Sequence, residues 1–156
     1  MFSIAGCAAN ENDGTTQLPG EASQALDENN HSSESPSKWG ITLSVENVTA
    51  KGLTLVCTHS GGKNVAQLDT GSYYIIQKSE KSGWEDVEYL PHEYEIAWDA
   101  VAWMIKKEDT TTWDINWEWL YGELPAGEYR IGKEIMNFRG TGDYDTELVY
   151  AEFTIR

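Results

Sequence analysis

Two histidines, one embedded cysteine and a set of acidic side chains are the groups in this 156-residue chain whose chemistry merits a first look. His92-Glu93 lacks a second His four residues after the first, so it does not form the helical zinc pair. No Cys or His stands at zinc spacing from Cys57. His59 and His92 have no Gly-x-Ser-x-Gly elbow to serve, and a nucleophilic triad needs an activated Ser or Cys beside the imidazole. Both are read as ordinary surface or satisfied loop residues. Gly61-Gly62-Lys63 is too short to cradle a phosphate. Cys57 ends the run Leu53-Thr54-Leu55-Val56-Cys57, where a small buried thiol suits a core. No catalytic residue and no cofactor is expected.

The carboxylates are plentiful and therefore uninformative singly. Glu118, Glu123 and Glu128 could flank a glycosidic bond, the chemistry of a carboxylate-dependent glycosidase. At strand and turn positions they are expected to face solvent. Asp143, Asp145 and Glu147 alternate after Gly140-Thr141-Gly142, a pattern suited to a hard cation such as calcium. It lacks the full ligand series of the helix-loop-helix calcium loop, so the stretch is read as a solvated hairpin loop and no metal is expected.

Aromatic residues carry the sharper expectation. Exposed Trp and Tyr can stack on sugar faces or anchor a protein partner, whereas buried ones fill the core. Strand parity places Trp98 and Trp103 on opposite faces, so one of these two candidate ligand-binding residues is expected in solvent. Trp113, Ile115, Trp117 and Trp119 alternate strictly with polar residues and share one face, and Trp113 and Trp117 with Ile115 are read as core.

The elements that must position these groups are strands. Trp39, Ile41, Leu43 and Val45 alternate with Gly40, Thr42, Ser44 and Glu46, the period of a half-buried strand. Leu53–Thr58 follows a short turn and completes a hairpin. Further strands are predicted over Tyr73–Lys78, Trp84–Leu90, the Trp113 run, Tyr129–Ile131 and the final stretch with Val149, Ala151, Phe153 and Ile155 on one side. Glu95–Lys107 fits two patterns. Ile96, Ala97, Ala100, Val101, Met104 and Ile105 make one helical stripe, while Ile96-Trp98-Ala100 and Val101-Trp103-Ile105 make two strand stretches joined by a bulge. Strand is preferred from its neighbours. The whole reads as an all-β, two-sheet β-sandwich of seven to eight strands over residues 38–156.

Charge divides the chain. It carries −15 in all, and Met1–Ser37 holds six acidic residues with no Lys or Arg, while every Trp and Tyr lies after Ser37. So acidic a chain makes a poor nucleic-acid binder, since phosphate contacts need cations. Residues 1–37 are expected to be a disordered leader, because their Asn, Glu, Ser, Gly and Gln cannot bury enough apolar surface to offset ordering entropy. Within it, Ile4-Ala5-Gly6-Cys7 resembles a lipobox, in which small residues precede a Cys that is acylated through sulfur. Cys7 is then a lipidation site and the leader a tether to the membrane. Only Met1-Phe2-Ser3 precede the box, which lacks the usual apolar signal, so the start codon is expected further upstream or the sequence to have been trimmed.

The stretch Trp119-Leu-Tyr-Gly-Glu-Leu-Pro-Ala-Gly-Glu-Tyr129-Arg-Ile-Gly-Lys-Glu134 resembles the hallmark of a bacterial immunoglobulin-like domain family of Gram-positive surface proteins and lipoproteins. Its Leu124-Pro-Ala-Gly-x-Tyr129 core looks like a tyrosine corner. The resemblance implies that Tyr129 is structural and that Ile131 stands where antibody domains place their second disulfide Cys. It implies fold more than function. The expected protein is an extracellular, membrane-anchored lipoprotein and a monomer, a noncatalytic binding or presentation module for a cell-surface protein or a neutral glycan.

Overall fold

Alternating apolar and polar side chains become paired strands over most of residues 36–156, which a computed structural model describes. Cys7, its motif and the leader to residue 35 lie outside the described residues. The strands are β1 (Ile41–Glu46), β2 (Gly52–His59), β3 (Gln67–Thr70), β4 (Ile75–Glu80), β5 (Gly83–Asp86), β6 (Trp103–Met104), β7 (Thr110–Asn116), β8 (Gly127–Gly140) and β9 (Asp143–Ile155). A single helical turn, α1 (Glu118–Tyr121), separates β7 from β8. The two-sheet all-β sandwich expected from the sequence is the fold.

One sheet runs β1-β2-β7 and the other β5-β4-β8-β3-β6, with β9 also on β8. All pairings are antiparallel. β8 is the spine of the larger sheet: Tyr129–Gly132 pair with β4, Ile135–Phe138 pair with β3, and the opposite edge carries β9 along its whole length. The inward face of β8 presents Tyr129, Ile131 and Ile135, which meet Ile41, Leu43, Val45 and Leu55 from the smaller sheet in one buried core. Trp117 and Phe153 join the two sheets, their rings 5.6 Å apart. Burying each such side chain contributes on the order of 1.5–3 kcal/mol. Gly40 allows the chain entering β1 to pass under the Ser60 carbonyl, where its positive φ and a Cβ contact of 2.3 Å would exclude other residues.

Three local expectations are corrected. Glu95–Lys107 is neither helix nor a pair of strands: only Trp103 and Met104 pair, with Thr70 and Asp69 of β3, and the rest of residues 87–102 has no regular structure. Its apolar side chains are held by aromatic packing, which imposes no sequence period. The Trp113 run leaves the sheet after Asn116, because the Asn116 side chain accepts the Glu118 N–H at 3.0 Å and the chain turns into α1. Trp119 is thereby carried off the core face. The acidic stretch at Asp143 is already strand, and the turn before it is confined to Thr141-Gly142.

Candidate binding site

The connection between β5 and β6 is laid across the end of the sandwich and anchored by Trp98. Its few backbone bonds to the body include Val87 N–H to the Ile76 carbonyl and Leu90 N–H to the Leu120 carbonyl, each 2.9 Å. Trp98 is half-buried and wedged edge-to-face among three rings, 5.3 Å from Tyr73, 5.2 Å from Tyr74 and 6.1 Å from Trp119. Such pairs add roughly 0.5–1.5 kcal/mol each beyond area burial.

Trp98 and Trp103 do not share a strand, as parity had suggested. Trp98 belongs to the connection, and Trp103 stacks on Trp113 at 6.2 Å with its planes 24° apart. Each is half-buried with its ring engaged by neighbours, so neither is the open stacking platform expected. The open aromatic is Trp119, 52% exposed at the middle of α1. Strict alternation puts it on one face with Trp113 and Trp117; the signal that breaks the alternation is Asn116 two residues before Glu118, an Asx turn at a helix start.

Around these rings lie two clefts. One of about 450 Å³ runs along residues 91–97 with Trp119 on its side, and includes Glu93 and Glu95. His92 lies 6.3 Å from the Trp119 ring. The second, about 300 Å³, is edged by Tyr73, Tyr89 and Tyr121 together with Asp86 and Glu88. Burial raises the Tyr121 phenol above its ordinary range, and the adjoining Tyr89 adds to the effect. Burial likewise raises that of Tyr74, whose hydroxyl has no hydrogen-bond partner among the described residues.

Beneath this face Lys133 occupies an inward position of β8 at 1% exposure. Its ammonium donates to the Gly71 and Tyr73 carbonyls and lies 5.0 Å from the Trp103 ring centroid. Desolvation lowers its pKa to about 8. The lysine ties the Gly71–Tyr73 backbone, and so Tyr73, to the larger sheet. The signal that could have found it is the alternation Tyr129, Ile131, Lys133, Ile135, which sets this lysine on the buried side of β8.

The remaining candidates have other partners. Tyr129 packs against Phe153 at 5.6 Å, and its hydroxyl donates to the Pro125 carbonyl at 2.8 Å, four residues back. Arg139 binds Asp143 and Asp145, each at 2.9 Å, while Glu147 lies further along β9 with one carboxylate oxygen buried. The two aspartates thus meet a guanidinium, and no group of three His, Cys, Asp or Glu suited to a metal occurs among the described residues. Lys51 bridges Glu118 at 2.7 Å and Glu123 at 2.9 Å, so those carboxylates share a cation at the surface. His59 is buried at the end of β2 with both ring nitrogens satisfied. Its Nδ1 accepts the Glu108 N–H at 3.3 Å, which leaves Nε2 protonated to donate to the Gly61 carbonyl at 3.2 Å. Cys57 is also buried, and desolvation pushes its thiol up to about 12, away from nucleophilic use.

No helix among the described residues is long and apolar enough to cross a membrane. No curated protein matches the chain. The bacterial Ig-like domain family matches residues 37–154, about three quarters of the sequence. Domains of this kind are typically noncatalytic and extracellular. With its two antiparallel sheets and that match, the chain belongs to the bacterial Ig-like domain family.

Proposed function

We propose that this protein is a lipid-anchored extracellular binding module, tethered through Cys7, whose ligand docks on the face built by Tyr73, Trp98 and Trp119. The observation that carries the reading is the exposure of large aromatic surface at one place: Trp119 is half in solvent and Tyr94 is 83% exposed, above rings that are themselves held edge-to-face. Immobilised aromatics lose little entropy on binding and are the common anchors of recognition surfaces. A cell-surface protein is the first partner to test. A neutral glycan is the second, favoured by Glu93 and Glu95 in the cleft beside Trp119, where carboxylates could accept sugar hydroxyl protons while the ring meets a C–H face. The noncatalytic reading is supported by the Lys51 bridge, which occupies two of the three carboxylates a glycosidase would need to choose from.

The test uses the full chain expressed behind a complete secretory signal in a Gram-positive host. Fatty-acid labelling that disappears in Cys7→Ala supports the tether, and label that survives refutes it. The same protein is offered to purified wall polysaccharide and to detergent-solubilised envelope protein. Capture by either that Trp119→Ala weakens about tenfold supports the docking face, since an anchor of this size is worth on the order of 1–2 kcal/mol. Capture indifferent to Trp119→Ala places the ligand elsewhere.

A further inference from the structure

A third cavity, about 280 Å³, opens beside Tyr73 between β3 and the anchored connection, and the charged residues that line it are all acidic. At its base is Asp69, in the middle of β3 and only 5% exposed. Both Asp69 carboxylate oxygens accept from the Gln67 side-chain amide, at 3.1 and 2.8 Å, and that neutral donor is the sole side-chain partner of Asp69 among the described residues. Glu134 enters from β8 and Asp99 from the connection. Neither of their side chains makes an ion pair or hydrogen bond among the described residues. Val101 and Met136 supply apolar wall. Lys133 follows next to Glu134 in the chain, but strand alternation turns it to the inner side of the sheet, where it is occupied by the Gly71 and Tyr73 carbonyls. The cavity therefore combines a buried carboxylate and two others with no cation, an arrangement that a positive ligand group would relieve.

We propose that this cavity is a receptor for the side chain of a lysine presented by a partner protein. The three carboxylates reach it from three separate elements. That geometry suits an ammonium, a compact charge with three diverging N–H donors, better than the planar fork of a guanidinium. The four methylenes of the incoming lysine lie against Tyr73, Val101 and Met136. Charge complementarity extends beyond the cavity: residues 84–105 contain six acidic residues and no Lys or Arg, so a basic segment is steered to this end of the molecule. The assignment deepens the reading of this face as a docking surface and rests on it.

The full chain, isotope-labelled, is titrated with pentalysine, with pentalysine acetylated at every Nζ, and with pentaarginine, and backbone amide shifts are followed. The expected result is saturable binding of pentalysine with shifts centred on Thr70–Gly71 and Asp99–Ala102, and none with the acetylated peptide. Glu134→Gln and Asp69→Asn each weaken it about tenfold, as removal of a desolvated charge partner does. Glu123→Gln, which removes the same charge beside Lys51, changes it less than about twofold, as expected of a screened rim charge. Equal weakening by all three variants, shifts centred outside the cavity, tighter binding of pentaarginine, or no binding would each overturn the proposal. If circular dichroism shows that Asp69→Asn does not fold, the exposed Glu134→Gln decides. Failure here with Trp119-dependent envelope capture intact removes the lysine receptor and leaves the docking face; lysine binding without any Trp119-dependent capture does the reverse.

Discussion

The β8–β9 hairpin and the connection over residues 87–102 are held in opposite ways. β8 and β9 pair continuously from Gly127 with Ile155 to Phe138 with Tyr144, with a single irregularity before Gly140, and their inward side chains are core. The connection has no ladder and is fixed by the wedge of Trp98 among Tyr73, Tyr74 and Trp119. A ladder with a buried face opens only when the domain opens, whereas a segment pinned by a few rings can release alone. The contrast assigns stability to the spine and, under the proposed function, recognition to the segment that can adjust at lower cost.

Removing a ring from the spine has the largest expected effect. Phe153→Ala vacates the contact with both Trp117 and Tyr129 and is expected to lower global stability by about 4 kcal/mol, read from the urea midpoint with the slope unchanged. Lys133, which joins spine to connection, comes next. Its ammonium sits at about 8 in the folded chain against 10.5 ordinarily, so between those values the unfolded chain binds more protons and stability rises with pH. The rise between pH 8 and 10 is expected to reach up to about 3 kcal/mol and to flatten in Lys133→Met. Above pH 10 the raised phenols of Tyr74 and Tyr121 oppose it, because the unfolded chain then loses those protons first. Trp98→Ala should be smallest, about 2 kcal/mol, and local: limited proteolysis should cut within residues 87–102 while amide protection in β8 and β9 is kept. Loss of protection in both regions together would erase the contrast.

The same division separates what the sequence discloses from what it hides. Alternation in Ile41–Val45 and Val149–Ile155 is a direct image of one buried sheet face, and Leu124-Pro-Ala-Gly-x-Tyr129 is local enough to be read as a turn and a strand start. The candidate face depends on rings from β4, α1 and the connection meeting in space, which leaves no period within any one segment. Trp119 reads as sharing a face with Trp113 and Trp117 for a specific reason: their alternation runs on past Asn116, and an Asx turn weighs little against four aligned large residues. Asp69 and Glu134 are ordinary acids in an acidic chain until β3 and β8 pair and bring them to one cavity.

The place of β8 in the sheet also bears on the order of assembly. β2 waits for β7, whose Ile115 pairs with Leu53, and the spine has no complete partner until β9 follows it. During synthesis the larger sheet therefore lacks one edge until β9 has emerged, and a pairing as distant in sequence as that of β2 with β7 closes in milliseconds to seconds rather than microseconds.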